Sequence, residues 1–173
     1  MAIRNILHDN DNTLQKPSRA VTDFNKRLHT LLDDMRETLM AANGLGLAAP
    51  QVGVLRRVAI IVDMDIEAVL PEDQIVELIN PVITAKSGGQ HGVEGCLSIP
   101  GRYGIIERPE LVKVTAQDRH GNTFELTTKE LTARAVCHEI DHLDGVLLTA
   151  LAEKMLTEEE LNEIAKQIDD EGE

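Results

Sequence analysis

The sequence predicts an α+β fold in which mixed, mainly antiparallel sheets pack around a central helix, with one further helix towards each end of the chain. Three segments carry apolar residues at helical spacing, and the runs between them are strand-like and bounded by turn residues. No repeat or compositional break divides the 173 residues. We therefore expect a single domain, residues 1–173.

The first helix is indicated by apolar residues at 3.6-residue spacing after Thr22, a residue able to cap a helix. The apolar positions are Phe24, Leu28, Leu31, Leu32, Met35 and Leu39. Asn43-Gly44 then ends the pattern, because both residues tolerate the left-handed conformation that terminates many helices.

Strands are expected in the middle of the chain. Residues 57–62 and 75–79 are apolar runs typical of buried strands, and Asn80-Pro81 closes the second. Residues 111–116 alternate apolar and polar side chains. They lead through a turn at 118–122 into a partner strand at 123–126, which indicates a hairpin.

The central helix is expected to begin at a capping box. Thr127 and Glu130 have the spacing at which each side chain accepts a hydrogen bond from the backbone N–H of the other residue. The helical pattern continues to about Leu143 and ends before Asp144-Gly145.

The last helix lies in an acidic segment, residues 151–173, which holds nine acidic and two basic residues. Thr157 and Glu160 form a second candidate capping box, and the helix is expected to reach about residue 168. We interpret its acidic side chains as a solvated helix face.

Composition and charge exclude several classes of protein. A net charge of −13 gives no basic surface to attract phosphate backbones or anionic lipid, so we expect no nucleic-acid and no membrane partner. No apolar run approaches the ~20 residues that cross a bilayer, and the first eight residues lack the features of a signal peptide. We expect a cytoplasmic protein whose cysteines, Cys96 and Cys137, are free thiols or metal ligands.

The strongest local pattern is His138-Glu139-Ile140-Asp141-His142 on the central helix. Residues four apart lie on one helical face, so both imidazoles can bind the same divalent ion. Leu131 and Ala135 continue that face as an apolar wall. Glu139 projects about 100° away, at the edge of the face, where it can act on a water molecule. The pattern predicts the metal site of a hydrolase.

A hydrolytic metal needs three protein ligands and one open position, and the sequence offers several candidates for the third ligand. Cys96 lies beside a glycine, and its apolar flanks favour an inward-facing strand. Glu163 would give the arrangement of many zinc peptidases, in which a later helix supplies a glutamate. The other candidates are Asp141, Asp144, Glu158, Glu159 and Glu160. Cys137 points about 100° away from His138, which favours packing in the core.

A third segment, Gly44-Leu45-Gly46-Leu47-Ala48-Ala49-Pro50-Gln51, is rich in small residues. Its glycines permit a close approach of the backbone to a substrate. The Gln51 amide can donate a hydrogen bond to a developing oxyanion.

Together, these three segments resemble the peptide deformylase family. Its signatures are a G-x-G-x-A-A-x-Q loop, an E-G-C-x-S segment and an H-E-x-x-H helix, in that order. Here they stand at residues 44–51, 94–98 and 138–142. The resemblance extends from about residue 3 to about residue 148.

The resemblance implies a metallohydrolase that removes the formyl group from formyl-methionyl nascent peptides and releases formate. By position, it makes three residues the metal ligands: Cys96, His138 and His142. Glu139 becomes the general acid/base, and Gln51 and the Leu97 backbone N–H become the donors to the oxyanion. Fe²⁺ is the ion that the family implies, with Zn²⁺, Ni²⁺ and Co²⁺ as possible occupants.

The resemblance also implies an extended peptide as the substrate. The backbone groups expected to hold the peptide belong to the loop at Gly44, Leu45 and Gly46 and to Gly95. The walls expected for the methionine pocket are Leu45, Leu131, Arg134 and Ala135. Three positions depart from the family: Cys137 replaces a common glutamine, Arg134 stands where some members have an apolar residue, and Gly92 lies near a position that is often aliphatic.

The resemblance allows a transient contact with the ribosome. The acidic helix within residues 151–173 differs from the basic helix with which family members can dock, so we do not expect this helix to make the contact.

Two other interpretations of the function stay open. One is a zinc aminopeptidase or endopeptidase with Glu163 as the third ligand, and the other is a non-catalytic protein with a structural zinc site. Glu139 beside an open metal position argues against the second.

Overall fold

A computed structural model describes the backbone of residues 2–171 and the side chains of residues 2–166. The helices are α1 (Lys26–Ala42), α2 (Glu130–Leu143), α3 (Leu148–Leu151) and α4 (Glu158–Glu171). The strands are β1 (Gly46–Ala48), β2 (Val58–Val62), β3 (Ile75–Ser87), β4 (Gln90–Gly95), β5 (Arg102–Arg108), β6 (Leu111–Gln117), β7 (Thr123–Lys129) and β8 (Lys154–Thr157). Residues 172 and 173 of the acidic segment lie outside the described residues. None of the described helices has the length and apolar character needed to cross a membrane.

The strands form two sheets, and each pair of neighbouring strands is antiparallel. The larger sheet has the order β1-β2-β3-β6-β7, and the smaller sheet has the order β4-β5-β8. The predicted hairpin forms between β6 and β7, and Gln117 pairs with Thr123 at its end. The α+β prediction is confirmed.

Both faces of the larger sheet carry apolar side chains. Successive side chains of a strand point to opposite sides, so neighbouring residues of one strand pack against different helices. On β2, Val58 and Ile60 pack in the cluster that contains α1, whereas Ile61 packs in the cluster that contains α2. On its other side α2 reaches the smaller sheet, where Arg134 donates a hydrogen bond to the Ile106 carbonyl of β5. Helix α2 is therefore the central helix that the sequence predicts.

Asn25 rather than Thr22 caps α1. The Asn25 Oδ1 accepts hydrogen bonds from the backbone N–H groups of Arg27 and Leu28, at 3.0 and 3.3 Å. The predicted end is confirmed, since Asn43 follows the last helical residue in the left-handed conformation, with φ of 51°.

Strand β3 continues past Asn80-Pro81, where the sequence predicts its end. Asn80 adopts a left-handed φ of 50°, and the register with β6 shifts between Ile79 and Val82. The strand thus absorbs the proline in a bulge. The Asn80 side chain fixes this geometry through Val21, because its Oδ1 accepts from the Val21 N–H at 2.8 Å and its Nδ2 donates to the Val21 carbonyl at 2.9 Å.

The first predicted capping box is wrong and the second is confirmed. Strand β7 runs through Thr127 to Lys129, and α2 begins directly at Glu130, whose φ of 51° turns the chain from strand to helix. At the start of α4, the Glu160 N–H donates to Thr157 Oγ1 at 3.2 Å. In return, the Thr157 N–H donates to Glu160 Oε2 at 2.8 Å.

Candidate metal centre

The Cys96 thiol meets the two histidines of α2 where the smaller sheet faces that helix. One ligand atom from each of Cys96, His138 and His142 lies within 4.8 Å of the other two. The Cys96 Sγ is 3.3 Å from His142 Nε2. The flanks of Cys96 predict a position within a strand, and this prediction is wrong. Cys96 lies directly after β4. One thiolate and two imidazoles form a donor set that fits a divalent transition metal.

A buried carboxylate orients the first histidine. Glu94 Oε2 lies 3.0 Å from His138 Nδ1, so the Nδ1–H donates to the carboxylate and the Nε2 lone pair is left for a metal. The Arg108 guanidinium donates to both Glu94 oxygens, at 2.8 and 3.0 Å. Burial disfavours the Glu94 anion, but hydrogen bonds from His138 and Arg108 outweigh it and lower the Glu94 pKa to about 2. Glu94 therefore stays ionised beside the histidine.

The carboxyl group of Glu139 is packed against the Gly44–Gln51 loop. A Cβ atom at Gly46 would lie only 2.3 Å from Glu139 Oε1, so a glycine is needed for the two segments to meet. Among the described residues, Glu139 Oε2 is buried without a hydrogen-bond partner. Burial raises the Glu139 pKa to about 7. A carboxyl group with such a pKa can both accept and return a proton near neutral pH.

Hydrogen-bond donors lie beside the thiol. The Gln51 side chain is held by its Oε1, which accepts from the Ala48 N–H at 2.8 Å. Its Nε2 donates to Ser98 Oγ at 3.1 Å and faces Cys96 Sγ at 3.7 Å. No hydrogen bond from the Leu97 N–H is found within the described residues. Both donors predicted for an oxyanion are thus near the candidate metal ligands.

A cavity of ≈ 480 Å³ opens at this centre. All of the residues that the sequence predicts for the site line it except His142, which is buried. The predicted lining residues are Gly44, Leu45, Gly46, Gln51, Gly95, Cys96, Leu97, Leu131, Arg134, Ala135, His138 and Glu139. Leu45 and Leu131 form the rim, with 40% and 45% of their surface exposed. Ala135 is buried.

Sequence reasoning missed several residues of the centre. Ser98 and Glu94 belong to the E-G-C-x-S motif, and their position two residues from Cys96 is the sequence feature that could identify them as site residues. Arg108 and Tyr103 lie on β5, a strand that the sequence does not predict, and no local sequence pattern identifies them as site residues. Tyr103 packs against Gly95, where a Cβ would lie 3.2 Å from its ring.

Cys137 packs in the apolar core, as the sequence predicts, and does not join the metal centre. It is buried in the cluster that contains β6 and α2. Burial also raises the pKa of the Cys137 thiol to about 11, so this cysteine is neutral at physiological pH.

Two of the three candidate ligands, Cys96 and His138, line an open cavity, and an unpaired carboxyl group, that of Glu139, lines it beside them. A structural zinc site is closed by a fourth protein ligand, and no fourth ligand joins this cluster within the described residues. The fold and the centre therefore define a metal-dependent hydrolase.

Comparison with known proteins identifies the kind of hydrolase. The profile of the polypeptide deformylase family matches residues 3–158, and the chain belongs to that family. A peptide deformylase of Caldicellulosiruptor bescii is 49% identical over 163 residues, which cover 94% of this chain and 93% of the relative.

Solved structures agree with this membership. The crystal structure of peptide deformylase from Thermotoga maritima matches with a TM-score of 0.82 and 32% identity, over 89% of this chain and all of that one. A Met-Ala-Ser-bound peptide deformylase from Acinetobacter baumannii matches with a TM-score of 0.79 and 32% identity, over 87% and 98% of the two chains. The predicted family, fold and amide hydrolase activity, the removal of formyl groups from nascent peptides, are confirmed.

The two alternatives are not favoured. Glu163 lies exposed on α4, and it is not part of the ligand cluster of the two histidines. A zinc peptidase that uses Glu163 would need that carboxylate within reach of the metal. The family relationship speaks against a purely structural zinc protein.

Proposed function

We propose that this chain removes the formyl group from N-formyl-methionyl peptides with Cys96, His138 and His142 as metal ligands and Glu139 as the general acid/base. The observation that carries the proposal is the approach of one thiol and two imidazoles within 4.8 Å beside a buried, unpaired carboxyl group. A divalent ion held there supplies a Lewis acid and lowers the pKa of coordinated water from ~15.7 towards ~7.

Glu139 moves the proton in this proposal. Its Oε2 takes a proton from the attacking water and later returns it to the departing amine of methionine. Burial raises its pKa to about 7, and the charge of a neighbouring divalent cation would lower that pKa again. Gln51 Nε2 and the Leu97 N–H donate to the oxyanion of the formyl group, and one such donor contributes about 3 kcal/mol to transition-state stabilisation.

The peptide adds to an open sheet edge in this proposal. Strand β1 is the edge of the larger sheet, and the Leu45 carbonyl accepts from the Val62 N–H at 2.8 Å. Hydrogen-bonded and non-bonded pairs alternate along an antiparallel ladder, so the next pair, Gly46 with Ile61, leaves both backbone groups of Gly46 pointing away from β2. These groups are available to an extended peptide, as in other cases of strand addition.

The methionine side chain fits the apolar part of the cavity. Leu45, Leu131, Ala135 and the stem of Arg134 supply walls for a flexible, unbranched side chain. The related Acinetobacter baumannii enzyme binds Met-Ala-Ser, which is the product expected from formyl-Met-Ala-Ser. This supports short methionyl peptides as substrates of the present chain.

We further propose Fe²⁺ as the native ion, because the family resemblance implies it, although two imidazoles and one thiolate also accept Zn²⁺, Ni²⁺ and Co²⁺. The protein acts as one catalytic domain in the cytoplasm, where formylated nascent chains arise. Its four described glutamates at the start of α4 (Glu158, Glu159, Glu160 and Glu163) argue against docking on ribosomal RNA through that helix.

Cobalt substitution tests the ligand set directly. The cobalt-loaded protein should show a thiolate-to-cobalt charge-transfer band that is lost in Cys96→Ser and kept in Cys137→Ser, because the buried Cys137 lies outside the ligand cluster. A band that survives Cys96→Ser with full metal content would contradict the proposed ligand.

A further inference from the structure

Arg134 lines the cavity and also contacts residues next to the candidate metal ligands. Its guanidinium is buried, and Nη1 donates to Glu94 Oε1 at 2.9 Å and to the Ile106 carbonyl at 3.1 Å. Its Nη2 donates to the Gln90 carbonyl at 2.9 Å. The charged end therefore binds both strands of the β4–β5 hairpin.

Gly92 provides the space for this guanidinium. A Cβ at residue 92 would lie 2.7 Å from Arg134 Nη2 and 3.0 Å from its Cζ. Two of the three positions at which the chain departs from the family, Arg134 and Gly92, are thus one complementary pair. The larger side chain on α2 requires the absence of a side chain on β4.

The Glu94 carboxylate joins this pair to the metal centre. Its Oε1 accepts from Arg108 and Arg134, and its Oε2 interacts with Arg108 and His138. Arg134 and His138 are one helical turn apart on α2, so a single carboxylate binds two successive turns of the same helix. With both oxygens held, the carboxylate cannot rotate away from His138 Nδ1.

We propose that Arg134 is a positioning residue that acts through Glu94 to orient His138 for metal binding, and that Gly92 is required to seat it. The inference rests on the proposed function for the identity of His138 as a ligand. Residues that orient a metal-bound histidine typically change the metal affinity 10–100-fold when they are mutated. A residue that only shapes the pocket would change peptide affinity instead.

The test compares metal affinity in Arg134→Met, Arg134→Lys and Gly92→Ala by competition of Co²⁺ and Zn²⁺ between each protein and a chromogenic chelator. We expect Arg134→Met to bind about 10-fold or more weakly, because methionine keeps much of the stem but makes no hydrogen bond to Glu94. Arg134→Lys should lie between it and wild type, since one ammonium group cannot reproduce the fork of a guanidinium.

Arg36→Met is the matched control. Arg36 on α1 also binds one carboxylate and two backbone carbonyls, those of Glu77, Glu72 and Ile75. Its loss should lower the unfolding temperature as Arg134→Met does but leave the metal affinity unchanged. Equal metal affinities in wild type, Arg134→Met and Arg134→Lys would overturn the proposal, even if all the variants were less stable.

A double-mutant cycle tests the pair. Gly92→Ala should weaken metal binding in the wild type and have little further effect in the Arg134→Met background, because the crowded guanidinium is gone. Equal effects in both backgrounds would contradict the role of Gly92. These measurements use no substrate. A wild type that binds metal but releases no formate would therefore contradict the proposed function and leave the comparison of variants valid.

Discussion

Gly46→Ala is expected to disable catalysis without removing the metal. Gly46 is not one of the candidate ligands, but the new methyl carbon would lie 2.3 Å from Glu139 Oε1, 2.7 Å from its Cδ and 2.8 Å from its Cγ. All three distances are shorter than nonbonded contacts allow. Because Glu139 is buried, its carboxyl group has to move within the centre.

The size of the effect follows from that displacement. Real Cβ atoms essentially never have a neighbour closer than 3.0 Å, so Oε1 must retreat by about 0.7 Å or more. A misplacement of ~1 Å in a reacting group costs ~100-fold in rate. We therefore expect kcat to fall by roughly 100-fold, about 2.7 kcal/mol in the activation free energy.

The assay measures formate release at saturating metal, together with metal content. Gly89→Ala is the control, because its Cβ would approach only the carboxylate of the exposed Glu107, at 2.9 Å. Activity near the wild-type level in Gly46→Ala, with full metal content, would refute the inference that Glu139 must occupy its present position. Loss of metal together with activity would show that the loop supports the ligands instead.

Three further predictions concern the base, the ion and stability. Glu139→Gln should keep its metal and lose ~10²–10⁴-fold in kcat, and an active, metal-loaded variant would contradict its role as base. The iron-loaded enzyme should lose activity in air while nickel or cobalt gives durable activity, and a zinc-only preparation with full, lasting activity would contradict the assignment of iron. Asp34 is buried, but hydrogen bonds from the Ala2 N–H and Arg4 outweigh burial and lower its pKa. Because the folded state has the lower pKa, Asp34 stabilises the protein above the unfolded-state pKa and loses this effect as pH falls through the folded-state value. Asp34→Asn should therefore cost about 1.5–3 kcal/mol in urea unfolding at pH 7. The difference from wild type should shrink as the pH falls below the unfolded-state Asp pKa of ~3.9, and a constant difference would contradict this explanation.

The three longer helices, α1, α2 and α4, and the site motifs could be predicted from the sequence because their signals are local. The helical spacing of the apolar residues of α2 and the His138–His142 pair can be identified without tertiary structure. The end of α1 at Asn43 has an equally local cause in the left-handed conformation of one residue. Three motifs in a fixed order then identify the family more specifically than any one of them.

The smaller sheet could not be predicted, because its signals come from partners far along the chain. Strand β4 contains His91, Gly92 and Glu94, and no alternation of apolar side chains separates it from a loop. The same limit explains why Arg108 was missed, since only the folded hairpin brings it to Glu94. The extension of β3 through Pro81 depends on Val21, another partner distant in sequence.

The most direct test of the central claim measures formate release and peptide-bond cleavage on the same set of peptides. Formyl-Met-Ala-Ser should be deformylated efficiently, and acetyl-Met-Ala-Ser at least ~100-fold more slowly, because the added methyl group must fit where the formyl group has only hydrogen. Free formyl-methionine should be a poor substrate, since it lacks the backbone that would pair with Gly46. We predict formate without cleavage between Met and Ala. Cleavage at that bond without formate would contradict the account.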